Sequence, residues 1–72
     1  MSGLTKRSFS LAGHRTSVAL EDEFWAALVA IAAGRGQPLS AVVTAVDAAR
    51  TPSQTLASAL RVLALKHYLS QR

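Results

Sequence analysis

The segment His14-Arg15-Thr16-Ser17-Val18-Ala19-Leu20 alternates in character and runs straight into Glu21-Asp22-Glu23-Phe24-Trp25. Thr16, Val18 and Leu20 fall on one face of a strand, and Arg15, Ser17 and Ala19 on the other. Beyond it the chain turns to helical spacing, which predicts a mainly α protein with one strand per chain. A lone strand leaves its N–H and C=O groups unpaired and must find a partner. The obvious partner is the same strand of a second copy. The product is a two-stranded antiparallel ribbon, apolar below and carrying Arg and Ser above.

At 72 residues, half of them hydrophobic, the chain is one small domain near the size at which a single core is marginally stable. It contains no cysteine, so no disulfide, thiol nucleophile or Cys-based zinc site is available. Oligomerisation is the staple that remains. Val18, Leu20, Phe24, Leu28 and the valines of the second helix exceed what one copy is expected to cover, which predicts an obligate dimer.

The formal charge is +4, and its distribution is uneven. Lys6, Arg7 and Arg15 lie in the first fifteen residues, where there is no acid, and the four acids are Glu21, Asp22, Glu23 and Asp47. A basic amino-terminal segment before an apolar body suits a polyanion-binding edge, although a solvated basic tail has the same composition. No run reaches the roughly 18 apolar residues of a membrane span, so no membrane partner is expected. Met1-Ser2-Gly3-Leu4-Thr5-Lys6-Arg7 has no apolar stretch behind it, and the cytoplasm is the expected compartment.

Residues 1–13 read as an amino-terminal arm, flexible over 1–7. Ser8-Phe9-Ser10-Leu11 alternates too, as an added edge strand or an extended arm, before Ala12-Gly13 interrupts it. The first helix should begin at Glu21–Glu23, where acids meet the positive end of the helix dipole. Leu20, Phe24, Leu28 and Ile31 form its core face, with Trp25, Val29 and Ala32 as a second stripe. Gly34 and Gly36 should close it. The second helix begins near Pro38, buries Leu39, Val42, Val43 and Val46, and ends near Ala49-Arg50. Thr51-Pro52-Ser53-Gln54 has the form of a capping box, predicting a third helix from there to about Leu69. Its Leu56, Ala59, Leu60, Val62, Leu63, Leu65 and Leu69 cover more than one face and need burial from two sides. No internal repeat or low-complexity segment stands out.

Arg15-Thr16-Ser17-Val18-Ala19-Leu20, then Phe24 and Leu28, then Gly36 and Ser40 before Val42-Val43, resemble the ribbon-helix-helix family typified by Arc, MetJ and CopG-type repressors. Gly13-His14-Arg15-Thr16-Ser17-Val18-Ala19-Leu20-Glu21, with Phe24-Trp25 and Ala59-Leu60-Arg61, is similar to a short single-domain bacterial branch of it. The match covers residues 14–50 as the core, with 51–72 as a helix extending the dimer or oligomer interface. The resemblance implies an intertwined homodimer whose ribbon enters the DNA major groove. It maps the base-reading positions onto Arg15, Ser17 and Ala19, and the phosphate clamp onto residues 37–41 at the start of the second helix. Ala19 departs from a good base reader, being able only to touch a thymine methyl. Pro38 stands where many relatives carry a hydroxyl cap.

Arg15 can donate two hydrogen bonds to guanine O6 and N7, its competing role being a phosphate contact. Ser17 reads a base weakly, or is a solvated strand position. Lys6 and Arg7 are expected to contact phosphates, with His14 at the groove edge, and the backbone N–H groups of Leu39, Ser40 and Ala41 to hold a phosphate at the helix amino-terminus. His14 and His67 are too few for a metal site, and no cofactor is expected. No nucleophile–base pair, carboxylate dyad or phosphate loop is present, so an enzyme is not expected. The expected function is a DNA-binding repressor or autoregulator acting on duplex DNA as a homodimer or tetramer. The alternative is an antitoxin-like or adaptor-like module that captures a protein on its apolar carboxy-terminal helix.

Overall fold

In the computed structural model, which describes residues 3–71, the strand at His14 finds its partner within its own chain. Strand β1 (Leu4–Leu11) pairs antiparallel with β2 (His14–Glu21), from Leu4 opposite Glu21 to Leu11 opposite His14. The chain thus has two strands where one was expected, paired as a hairpin in cis. Ala12 and Gly13 make the connection with φ of 49° and 85°. Positive φ at both central residues is the pattern of a type I′ turn, whose twist matches that of the strands it joins. The arm expected over residues 1–13 is therefore a strand from Leu4 onward, and the alternation at Ser8–Leu11 marks its second half. Met1 and Ser2 of that arm, and Arg72 of the carboxy-terminal segment, lie outside the described residues.

Three helices follow: α1 (Asp22–Gly34), α2 (Leu39–Ala49) and α3 (Leu56–Ser70). Asp22 and Glu23 occupy the first turn of α1. At its end the Gly36 N–H donates to the Ala33 carbonyl and the Gln37 N–H to the Ala32 carbonyl, with Gly36 at φ 65°. This is a Schellman closure, and only Gly36 of the two expected glycines takes the left-handed position; Gly34 is still helical. Pro38 precedes the first residue of α2 as its N-cap.

The third helix starts four residues later than the capping-box pattern predicts. The Thr51 carbonyl, not its hydroxyl, accepts from the Gln54 N–H, closing a turn, while the Arg50 guanidinium donates to the Gln54 carbonyl and to Asp47. The working N-cap is Thr55, whose hydroxyl accepts from the Ser58 N–H at 3.1 Å.

Phe9 and Leu11 from β1, Val18 and Leu20 from β2, Trp25, Leu28, Ile31 and Ala32 from α1, Val42 and Val43 from α2, and Leu60 and Ala64 from α3 share one core. Leu20, Leu28, Val42, Val43 and Leu60 are fully buried, each stabilising the fold by about 1.5–3 kcal/mol. Of the residues expected to demand a second copy, one chain covers Val18, Leu20, Leu28, Val42 and Val43, while Phe24 and Val46 stay half-buried. The phase of α1 also shifts: Trp25 and Ala32 are buried, Phe24 is half-buried, and Val29 is exposed. Besides Leu4 and Val29, the exposed large apolar side chains lie on α3: Val62 (39%), Leu65 (55%), Tyr68 (69%) and Leu69 (50%). Burial of this helix from two sides is not achieved within one chain.

Candidate nucleic-acid interface

Alternation along the paired strands divides the hairpin into two faces. Phe9, Leu11, Val18 and Leu20 are buried toward the helices. Opposite them lies an outward set in register: Lys6 beside Ala19, Ser8 beside Ser17, and Ser10 beside Arg15. The Ser8 and Ser17 hydroxyl oxygens lie 3.0 Å apart at the centre. All six are exposed except half-buried Ala19. The face therefore carries two cations, three hydroxyls and one methyl on a twisted ribbon. Such a surface can donate hydrogen bonds to base edges and attract phosphates.

One acid shares this phase, Glu21 at the far end opposite Leu4. It accepts from the Arg61 guanidinium at 3.1 and 3.2 Å, so the local negative charge is neutralised from α3. A hydrogen bond from its own backbone N–H holds the Glu21 carboxyl below its ordinary value against an opposing desolvation, and Arg61 adds to the lowering. Asp22 accepts from the Thr5 hydroxyl on the other face of β1.

The expected site residues separate into groups. Arg15, Ser17 and Ala19 lie together on the outward face, joined by Lys6. Arg7 does not join them: it stands opposite Val18, in phase with the core, with its guanidinium 5.2 Å from the centre of the Trp25 ring. Expecting Arg7 beside Lys6 assumed a structureless arm; in a strand, adjacent residues point to opposite faces. His14 is exposed at the turn, paired with Leu11, one residue out of phase with Arg15. On α2, Ser40 is exposed and Leu39 and Ala41 half-buried, and the Ala41 N–H already donates to the Pro38 carbonyl at 3.0 Å. Only the N–H groups of Leu39 and Ser40 are left among those three for an anion.

Ser8 and Ser10 complete the outward face and were not among the expected residues. Their signal was the alternation Ser8-Phe9-Ser10-Leu11 ahead of a two-residue Ala-Gly turn, legible once that run is read as a hairpin arm. Trp25, a stacking candidate by type, instead packs on Phe9 at 5.9 Å between ring centres and donates its indole N–H to the Thr5 carbonyl at 2.7 Å. Among the described residues there is no group of three His, Asp or Glu that could hold a metal, and no single helix is long and apolar enough to cross a membrane.

A strand ribbon followed by two helices joined at a glycine closure, with a basic outward face, defines a class of DNA-binding regulators. The family model for the ribbon-helix-helix domain matches residues 4–68, and the chain belongs to that family, whose fold is a DNA-binding and non-enzymatic one. That match takes in β1 and nearly all of α3 as well as the expected core. No curated protein and no solved structure matches the chain significantly.

Proposed function

We propose that the protein is a sequence-specific transcriptional repressor or autoregulator that inserts its hairpin into the major groove of duplex DNA in the cytoplasm. The observation that carries this reading is the outward face itself, where Arg15 and Lys6 flank a row of serines and the one acid in phase is neutralised by Arg61. Arg15 donates to guanine O6 and N7, Ser17 to a neighbouring base edge, and Ala19 offers a methyl contact. The N–H groups of Leu39 and Ser40 hold a phosphate at the start of α2, and His14 contacts the backbone at the groove edge. Occupancy of the operator blocks the polymerase.

Two copies associate through α3. Val62, Leu65 and Leu69 follow spacings of three and four on one stripe, and a stripe of this kind is buried in a stable assembly. The same stripe favours a second reading, capture of another protein on α3, which a folded monomer binding DNA on its own would support.

The test is binding of the purified protein to random duplex DNA and to the region upstream of its own gene, over a range of salt. Affinity should fall linearly with salt on a log–log scale, by about 0.9 in slope for each phosphate neutralised, with the upstream region bound more tightly. Absence of binding to either duplex at low salt overturns the proposal.

A further inference from the structure

Glu21 ends β2 and serves as the N-cap of α1, in step with Arg15, Ser17 and Ala19 on the outward face. A bare carboxylate there would oppose the attraction of that face for phosphates. Its partner comes from forty residues further along the chain. Arg61 lies in the second turn of α3, next to fully buried Leu60. Its guanidinium donates through Nε and Nη2 to one carboxylate oxygen, Oε1, at 3.2 and 3.1 Å. The same guanidinium lies 5.8 Å from the centre of the Phe24 ring, a cation–π contact that ties it to α1 as well. Among the described residues Arg61 is the one ion-pair partner of Glu21. Without it, the cation left on that side of the ribbon is Lys6. Lys6 stands opposite Ala19 and Leu4 opposite Glu21, so Lys6 and Glu21 are diagonal neighbours on one face. Such neighbours are about 7–8 Å apart, a span that two long side chains bridge.

From this arrangement we infer that Arg61 is a positioning residue for DNA binding: without touching DNA, it caps Glu21 from α3 and leaves Lys6 free to meet the duplex. The inference rests on the DNA-binding reading above and extends it to a helix outside the outward face. Both members of the pair belong to one chain, so each copy in an assembly carries its own. The pair matters for charge more than for folding. Both side chains are more than a third exposed, and an ion pair of that kind adds little stability. Beside a polyanion the sign of this end of the ribbon counts. Paired, it is neutral and Lys6 is available; unpaired, it carries a negative charge that repels phosphates and draws Lys6 away.

Two substitutions break the same two hydrogen bonds and separate this role from a structural one. Arg61→Gln leaves the carboxylate bare and should weaken binding to every duplex by about fivefold at low salt, the factor of one unit-charge contact in water. Glu21→Gln removes the acid and should bind at least as tightly as wild type. Glu21→Gln/Arg61→Gln should bind like wild type, and Arg61→Lys, which keeps the charge, should lose little. If both single substitutions weaken binding alike, Arg61 merely holds α3 against the ribbon and the proposal is overturned. It is overturned too if the double variant stays as weak as Arg61→Gln. A third contrary result is a salt slope that drops by about 0.9 when Arg61→Gln is added to Glu21→Gln, since Arg61 is then itself a phosphate contact. Thermal midpoints without DNA should stay close to wild type in all four variants, and an Arg61→Gln chain that no longer folds makes the residue structural. If wild type binds no duplex at low salt, the DNA reading falls and this inference with it. If wild type binds and Arg61→Gln binds equally well, the inference alone falls.

Discussion

Neighbouring side chains on β2 have opposite duties, and Arg15 and Thr16 make the contrast sharp. Arg15 is exposed beside Ser10, whereas Thr16 is half-buried beside buried Phe9. Arg15→Ala should leave the thermal midpoint close to wild type, since it removes no packing. Thr16→Arg should lower it clearly by forcing a charge beneath the ribbon. If thermal melts show the reverse order, the strand phase is inverted and the outward face with it. Glu21 gives a pH signature. Its carboxyl is held below the ordinary 4.5 in the folded chain, by its own N–H and by Arg61. The resulting stability is present above that pH and is lost as pH falls through the lower folded value. Both side chains of the Glu21–Arg61 pair are more than a third exposed, so the effect is small and weakened by salt. Arg61→Gln should flatten, without abolishing, the fall in thermal midpoint on acidification below about pH 5. An unchanged slope in the variant rules Arg61 out as a cause.

At the scale of elements, the helices were largely legible because apolar spacing and glycine closure are local signals. Gly36 and the paired Val42 and Val43 lie where the periodicity puts them. The start of α3 was not legible. Thr51-Pro52-Ser53-Gln54 satisfies the capping pattern, but Arg50 is extended, and its guanidinium and the Thr51 carbonyl take up the groups a helix start would need. That competition comes from a residue before the motif, and no pattern inside the motif reveals it. Thr55→Ala should accordingly cost about 0.5–2 kcal/mol, the usual loss of a helix cap. Thr51→Ala, whose hydroxyl meets only Ser53 at 3.3 Å, should be near neutral. Chemical denaturation of the two variants decides between the starts, and a larger loss at Thr51 restores the earlier one. Strand β1 was half legible. Its alternation is visible in Ser8–Leu11, but the partner of a strand is a property of register, and register is set by the turn and by burial of one face.

For the whole molecule, the proposed association of two copies rests on a different surface from the one that first suggested it. The buried residues of β2, α1 and α2 are covered in a single chain, with Phe24 and Val46 left half-buried. The longest exposed apolar stripe on one helix is Val62, Leu65 and Leu69 on α3. Association should therefore be separable from folding. Leu65→Glu/Leu69→Glu should give a folded monomer by light scattering, with helical circular dichroism retained. If the variant unfolds while losing its partner, association and folding are one event and the core is not self-sufficient. If it remains a dimer, another surface holds the copies together. The outward hairpin face and the α3 stripe do not share a residue, so loss of the stripe should weaken DNA binding through lost linkage and not through damage to that face.

Trp25 is the only tryptophan in the chain, and three of its contacts come from one strand: the Thr5 carbonyl, the Arg7 guanidinium and the Phe9 ring. The indole is consequently an optical gauge of whether β1 is seated. A β1 that peels away and leaves the helices intact would expose the ring and move its emission to longer wavelength before helical dichroism is lost. DNA arriving on the outward face approaches the opposite side of the sheet, so its docking should leave the emission unchanged. A spectrum that shifts on DNA addition would report that β1 leaves its seat to bind.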